Sequence, residues 1–154
     1  MILHIVLVEP EIPANTGNVS RTCAATGSTL HLVRPLGFST DDKQLKRAGL
    51  DYWHLLDIRY HDSLQALWDE HPEGRFHYAS TKGGRWYTDA SYQVDDFLVF
   101  GKETRGLSDD ILLPNLDHVV RIPIVSEARS LNLSNAVAVV AFEALRQCGF
   151  PKLV

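Results

Sequence analysis

The chain has 154 residues, of which 45% are hydrophobic and 22% charged, so it is neither disordered nor fibrous and fits one folded domain over residues 1–154. Its net charge of −4 excludes a protein that binds nucleic acid through an overall positive charge, and any such surface must be local. Cys23 and Cys148 form no CxxC pair, which disfavours a thiolate metal site and a disulfide framework.

The predicted elements alternate between strands and helices along the chain. Strands are predicted for five mostly apolar runs: Ile2 to Val8, Thr29 to Val33, Arg75 to Ser80, Phe97 to Phe100 and His118 to Ile122. Helices are predicted at Gly17 to Thr26, around Asp62 to Glu70, and at Leu133 to Cys148. Continuous apolar strands separated by helices predict an α/β fold, a parallel sheet with helices on both faces.

The apolar start of the chain is interpreted as a strand. It lacks the basic residues that open a signal peptide, and Glu9 and Pro10 follow it in place of a small-residue cleavage site. The longest uninterrupted apolar run, Ala136 to Phe142, falls well short of the ~18 residues that suggest a membrane span. We therefore expect a cytoplasmic protein with no membrane partner.

The last predicted helix is apolar around its whole circumference between Ala136 and Phe142, which is typical of a helix buried on every side. One sheet can hardly cover such a terminal helix in so short a chain. Either a second subunit or a loop of the same chain covers its outer face, and the sequence leaves both interpretations open.

A polar turn joins the first strand to the first helix. Helix amides and a glycine in the segment Glu9 to Asn18 can receive an anion such as a phosphate, although an ordinary structural turn is the favoured interpretation. The GxGxxG and P-loop motifs are absent, which disfavours dinucleotides and P-loop triphosphates. Arg21 shares a predicted helix face with Asn18 and Thr22, and it either points toward the helix mouth or pairs with an acidic neighbour.

Two further polar turns follow predicted strands. The segment GKETRG (101–106) carries two glycines that let a ligand approach the backbone, and SLNLSN (130–135) precedes the apolar helix, where it binds a ligand or only caps the helix. We expect both turns to line one edge of the sheet, where α/β proteins bind ligands. No GxSxG or HExxH motif is present, and the seven histidines show no ligand spacing, so each is expected to be structural or exposed and no metal is expected.

The segments NTGNVSR (15–21), GKETRG and IPIVSEARSLNLSNA (122–136) resemble, in order and spacing, the three motifs of the SPOUT methyltransferases. Nearly the whole chain is similar to one branch, the TrmL (YibK-like) tRNA methyltransferases, through LVEPEIPANTGN, DDKQLKRAGLDY and STKGG as well. That family uses S-adenosylmethionine to methylate the ribose 2′-hydroxyl of the wobble nucleotide, position 34, a cytidine or modified uridine, in leucine tRNAs. The resemblance implies a SPOUT fold with a C-terminal trefoil knot, which the rule against threaded loops would not predict, and a homodimer with the knot at its interface.

The resemblance also implies roles for individual residues. Arg21 is placed at the proton-transfer step, as a general base or, as we prefer, as a holder of the substrate phosphate, because guanidinium is normally always protonated. Asn15 and Ser130 would orient the hydroxyl or the arginine. Cofactor contacts are implied at Ala79, Gly101, Glu103, Ile122, Ser130, Leu131 and Asn132. Contacts to the tRNA backbone are implied at Lys43, Lys46 and Arg47, a cluster that would otherwise be interpreted as solvated surface.

The chain departs from the family pattern in three places. Val8 stands in place of a usual tyrosine, Lys102 in place of proline in GPETRG, and Tyr78-Ala79-Ser80 in place of Ala-Leu-Thr. Lys102 restores an amide N–H and backbone freedom to the predicted cofactor turn, which bears on cofactor affinity and substrate details. Methylation of another tRNA or rRNA ribose, and a noncatalytic RNA-binding or nucleotide-binding module of this fold, remain as alternatives.

Overall fold

The computed structural model describes residues 2–154, with side chains for all of these except residues 48–51 and 53. Its sheet has the strand order β3-β2-β1-β5-β4-β6, and every pair of neighbours is parallel. The strands are β1 His4–Val8, β2 Thr29–Val33, β3 Asp57–His61, β4 Phe76–Ala79, β5 Phe97–Phe100 and β6 Val119–Val120. The α-helices are α1 Pro13–Thr26, α2 Lys43–Gly49, α3 Leu64–Glu70, α4 Asp109–Leu112 and α5 Leu133–Gln147. Short 3₁₀ helices lie at Leu50–Leu55, Tyr87–Asp89 and Leu113–His118.

The predicted parallel α/β architecture is confirmed, and all five predicted strands are present within a residue or two of the predicted ends. The sequence pattern misses β3, because this edge strand is polar and exposes Arg59 and Tyr60. It also misses the short helices α2 and α4. The predicted start of α1 at Gly17 is wrong: the helix begins at Pro13, since proline is well suited to the first helical position.

Both faces of the sheet carry an apolar core, which is why β1 is buried along its whole length. Ile5 and Leu7 belong to the core formed with α1 and α5. Val6 and Val8 belong to the other core, formed with α3 and α4. Full burial of one such side chain contributes about 1.5–3 kcal/mol, so the alternating apolar residues of β1 stabilise two layers at once.

Helix α5 is buried on only one side. Val137, Val140 and Ala144 are at most 1% exposed and pack into the core, whereas Val139 is 36% and Phe142 47% exposed. The prediction that this helix is buried on every side is therefore wrong for the single chain, because no loop among the described residues covers its outer face.

Three of the seven histidines meet in the sheet. Nδ1 of His4 lies 2.9 Å from Nε2 of His31, and Nδ1 of His31 lies 2.9 Å from Nε2 of His61. Burial lowers the pKa of His4 to about 4 and that of His31 to about 3. The expectation that each histidine is structural or exposed is confirmed for these three, which are buried in a structural cluster.

The cysteines are free thiols, and Cys23 is buried in the core. Burial raises the pKa of the Cys23 thiol, so this side chain stays protonated and packs as a small apolar group. Within residues 2–154, no helix is both long and apolar enough to cross a bilayer.

Candidate functional site

A cavity of about 450 Å³ opens at the carboxyl edge of the sheet, and its size suits a small-molecule ligand. It lies where the strand order reverses, between β1 and β5, which is where open parallel sheets bind ligands. Its walls come from segments that follow strands: residues 12–15 after β1, 79–82 after β4, 100–106 after β5 and 122–136 after β6.

The cavity brings together eight of the nine residues that were assigned to the cofactor or to catalysis. They are Asn15, Ala79, Gly101, Glu103, Ile122, Ser130, Leu131 and Asn132. The prediction that the polar turns line one edge of the sheet is thus confirmed, although they lie far apart in sequence. The role of each residue toward a ligand stays a prediction.

Glu103 caps the first helix from a distant part of the chain. Its carboxylate accepts hydrogen bonds from the backbone N–H groups of Glu11 and Ile12, both at 2.8 Å, and from the side-chain amide of Asn15 at 3.1 Å. Ile12 provides no side-chain cap for α1, and this carboxylate binds the two backbone amides that directly precede Pro13 and faces the positive end of the helix dipole. The anion at the helix mouth is thus the protein's own carboxylate, which supports the structural interpretation of this turn.

The turn after β1 also accepts hydrogen bonds from the turn after β5. The carboxylate of Glu11 accepts hydrogen bonds from the backbone N–H of Thr104 at 3.0 Å and from its hydroxyl at 2.7 Å. These bonds lower the pKa of Glu11, and the positive charges of Lys102 and Arg105 lower it further. The two turns therefore hold each other in place on one side of the cavity.

A chain of amide hydrogen bonds continues to the last helix. The side-chain amide of Asn132 donates to the side-chain oxygen Oδ1 of Asn15 at 3.0 Å. The amide oxygen of Asn132 caps α5, accepting from the backbone N–H of Ser134 at 2.9 Å and from its hydroxyl at 2.6 Å. Glu103, Asn15 and Asn132 thus connect all three motif segments, a role that no local sequence pattern indicates.

Glycine is required at the start of the GKETRG turn. A Cβ atom on Gly101 would overlap the backbone of Gly106 and Leu107. Gly106 has a positive φ of 66°, and its N–H donates to the carbonyl oxygen of Lys102 at 2.8 Å. The turn is closed by its own backbone, which presents residues 102–105 to the cavity.

Arg21 lies outside the cavity of its own chain. Six residues after Asn15, it is about 9 Å further along α1 and turned by about 120°. Its guanidinium carbon lies 4.8 Å from the ring centroid of Tyr52, and Nη2 donates to the Tyr52 hydroxyl at 3.4 Å. Among the side chains that the structure describes, its partner is therefore an aromatic ring and not an acidic residue. Tyr52 is not among the predicted site residues, although it ends the family-like segment DDKQLKRAGLDY; it is 31 residues from Arg21, and no periodic spacing links it to α1.

The predicted tRNA-binding cluster lies on another surface. Lys43, Lys46 and Arg47 are exposed on α2, which packs against α1, and Lys46 pairs with Asp41 at 3.5 Å. The cations that line the cavity are different ones: Lys82, Lys102, Arg105 and Arg129. None of these four is among the predicted site residues. The signal that would have found three of them is their position, since Lys102 and Arg105 lie within GKETRG and Arg129 directly precedes Ser130.

The model of the SpoU rRNA methylase family matches residues 2–142. The chain therefore belongs to the SpoU rRNA methylase family, whose members are S-adenosylmethionine-dependent methyltransferases. It is 51% identical over 156 residues to the tRNA (cytidine(34)-2′-O)-methyltransferase of Escherichia coli, covering 99% of this chain and 98% of that protein.

Solved structures show the same relationship. One, determined to study 2′-OH methylation of cytidine or uridine at position 34 of tRNA, is 47% identical, has a TM-score of 0.90, and covers 94% of this chain and 95% of that one. The SpoU methyltransferase AviRb from Streptomyces viridochromogenes, in complex with AdoMet, is 25% identical with a TM-score of 0.84, covering 95% of this chain and 60% of that one. The methyltransferase class predicted from the motifs is thus confirmed.

Proposed function

We propose that this protein transfers a methyl group from S-adenosylmethionine to the ribose 2′-hydroxyl of the wobble nucleotide, position 34, of leucine tRNAs. The observation that carries the proposal is the meeting of the three motif segments around one cavity, joined by Glu103, Asn15 and Asn132. The near full-length similarity to the Escherichia coli enzyme supports the same nucleotide position.

The cavity residues fit S-adenosylmethionine. Ile122, Leu131 and Leu133 offer apolar surface for an adenine ring, and the closed GKETRG turn offers backbone groups for the polar parts. When bound, the cofactor supplies an electrophilic methyl group on a sulfonium centre. The chain's own task is to hold the ribose hydroxyl in line with that methyl group and to provide for loss of its proton.

We infer that Arg21 holds a substrate phosphate in this step, because a guanidinium group stays protonated and suits bidentate contact with a phosphate. Arg21 lies outside the cavity of its own chain. It can therefore act in the reaction only if the bound RNA extends from the cavity to Arg21, or if Arg21 faces the cavity of a second subunit. Asn15 is committed to Glu103 and Asn132, so it orients the turn that precedes Arg21. Ser130, which is exposed at the cavity, is free to orient the ribose.

We further infer a homodimer and the family's trefoil knot. The exposed apolar residues Val139 and Phe142 lie on one face of α5, where a second copy would cover them. For the knot, the support is the path of the chain: β6 lies at the edge of the sheet, and the following α5 returns to pack against α1 and β5. A dimer would also display Lys43, Lys46 and Arg47 twice, for contact with cytoplasmic tRNA.

The test is methyl transfer by the purified protein to undermodified leucine tRNA, followed by nucleoside mass spectrometry and mapping of the modified position. We expect 2′-O-methylation at position 34. The proposal is refuted if no methylated product forms with tRNA in any modification state. A product methylated at another nucleotide would favour the alternative, methylation of a different ribose. Failure to bind S-adenosylhomocysteine in calorimetry would point to a noncatalytic module.

Arg21→Ala tests the assigned role within that reaction. We expect methyl transfer to fall by about 100-fold or more, as for loss of a group that acts in proton transfer or positioning, while affinity for S-adenosylhomocysteine stays unchanged. Arg59→Ala is the matched control, since Arg59 is an exposed arginine on β3. Loss of cofactor binding with Arg21→Ala would instead identify a structural residue.

A further inference from the structure

The mouth of the cavity is positively charged in a chain that carries 19 acidic and 15 basic residues. Four cationic side chains and one carboxylate line it. The carboxylate, Glu103, is already held by three N–H donors, and Lys82 pairs with Asp109 at 3.2 Å. The remaining three cations have no ion-pair partner among the residues that the structure describes. We call them the rim cations: Lys102, Arg105 and Arg129.

What sets these cations apart is that three of them lie together at one cavity. Several cations elsewhere pair with a nearby carboxylate, namely Arg34, Lys46, Arg59, Arg75 and Arg146. Within the part of the chain that the structure describes, the rim cations have no such partner, although Glu11 lies close enough to Lys102 and Arg105 for their charges to act on it. Glu11 instead bonds to Thr104, so neither cation is neutralised by a contact. The rim is therefore available to an external anion.

The proposed reaction brings two anions to this place. A ribose whose 2′-hydroxyl enters the cavity carries a phosphodiester group on its 5′ side and another on its 3′ side, and both must lie at the mouth. The amino-acid part of the cofactor has a single carboxylate next to its own ammonium group, so it does not account for three cations. Arginine is also well suited to phosphate, because its planar fork allows two parallel hydrogen bonds.

We propose that the rim cations bind the two phosphodiester groups that flank the reactive ribose. This inference rests on the proposed function and assigns a substrate-binding role to residues separate from the cluster on α2. Lys102 stands where the family usually has proline, so it adds an anchoring charge that relatives with proline do not have at this position. Arg105 extends from the same turn, and Arg129 extends from the loop before α5.

The experiment measures binding of an RNA hairpin that carries the anticodon loop, without cofactor, by fluorescence anisotropy. One hairpin has natural phosphodiesters, and a second has uncharged methylphosphonates on both sides of nucleotide 34. For Lys102→Ala, Arg105→Ala and Arg129→Ala we expect about five- to tenfold weaker binding of the natural hairpin. Each variant loses one hydrogen bond between charged groups, and solvent partly screens that interaction. The salt dependence, as the slope of log K against log salt, should fall by about 0.7 for each lost contact.

The uncharged hairpin decides the assignment. On it, the rim variants should bind no more weakly than the unmodified protein, because the phosphate charges that they contact are already removed. Lys152→Ala, which removes an exposed charge outside the cavity, should leave both affinities unchanged. An equal loss on both hairpins, or an equal loss with Lys152→Ala, would overturn the inference.

Calorimetry with S-adenosylhomocysteine separates the rim from the cofactor. Lys102→Ala and Lys102→Pro should keep cofactor affinity within about twofold, since both are expected to preserve the turn and remove only the charge. Weaker cofactor binding with unchanged RNA binding would assign Lys102 to the cofactor carboxylate and overturn the proposal. If the unmodified protein does not methylate position 34, the proposed function fails; if it does and the rim variants behave alike on both hairpins, only this inference fails.

Discussion

Glu103 illustrates how one side chain in this protein serves both the fold and the site. It lies in the turn after β5, yet its carboxylate caps α1 and lines the cavity at the same time. A glutamate in a ligand-binding turn is easily interpreted as a ligand contact. Its oxygens are in fact used by Glu11, Ile12 and Asn15, so its effect on a ligand acts through the position of these neighbours.

Glu103→Ala is expected to lower the free energy of unfolding by about 2 kcal/mol, because hydrogen bonds to a charged group contribute about 1.5–3 kcal/mol and the backbone amides of Glu11 and Ile12, just before α1, lose their acceptor. Urea denaturation measures this change. The free energy of unfolding of Glu103→Gln should lie between those of the unmodified protein and Glu103→Ala, because glutamine keeps one acceptor oxygen. Glu73→Ala is the control, as an exposed glutamate. If Glu103→Ala is as stable as the control, the cap does not stabilise the helix.

Arg21 and Tyr52 show how much a site can depend on a residue to which the sequence assigned no role. The Tyr52 ring supports a guanidinium group that would otherwise move freely on the surface of α1. A motif gives the identity of Arg21, and the packing of a separate segment gives its orientation.

Among the elements, the three neighbouring strands β1, β2 and β3 are linked by the histidine cluster His4, His31 and His61. Oxygens of two exposed carboxylates lie near its ends, with Asp95 3.9 Å from His4 and Glu70 3.7 Å from His61. Arg59 and His71 also face the cluster and oppose its protonation. Burial is the largest cause of the lowered pKa values, so the folded protein keeps these rings neutral.

This cluster makes stability depend on pH. The pKa of His4 is about 4 and that of His31 about 3 in the folded protein, whereas an unfolded histidine has the ordinary value of 6.5. Below pH 6.5 the unfolded state binds protons that the folded state does not, so stability is fully present above this pH and falls toward pH 4. We expect a loss of about 3 kcal/mol between pH 6.5 and pH 5.

Urea denaturation at several pH values measures this loss. His31→Phe should reduce the dependence on pH, because it removes one of the two titrating rings, whereas substitution of the exposed His54 by glutamine should leave it unchanged. Equal stability at pH 5 and pH 7 would show that the histidine cluster takes up protons without cost.

At the scale of the whole molecule, the exposed outer face of α5 favours assembly into a dimer. The outer face of this helix exposes the apolar Val139 and Phe142 between Asn135 and Arg146, so a single chain leaves two large apolar side chains in contact with water. The basic residues proposed to bind RNA are likewise spread over two surfaces, α2 and the cavity rim. A dimer would bury the exposed apolar residues of α5 and present each basic surface twice.

Phe142→Lys is expected to convert a dimer to a monomer, because it places a charge in the apolar interface that we propose. Light scattering should then give the 17.3 kDa mass of one chain in place of twice that mass. Val94→Lys is the matched control, since Val94 is 48% exposed and lies outside α5. A wild-type protein that is already monomeric, or a Phe142→Lys variant that remains dimeric, would contradict the proposed interface.

The local pattern of the chain was sufficient to predict the parallel α/β fold, the five apolar strands and the edge at which the polar turns meet. Each of these depends on neighbours within one element or on the order of elements, and both can be read along a sequence. The motif resemblance added the class of enzyme and eight of the residues that line the cavity.

Tertiary structure decided the contacts between segments that are far apart. Glu103 meets Glu11 across 92 residues and Asn132 meets Asn15 across 117, and His31 joins His4 and His61 from three different strands. The exposed face of α5 and the contact of Arg21 with Tyr52 belong to the same group. Such pairs depend on where each segment lies after packing, which no periodicity or local spacing in the sequence records.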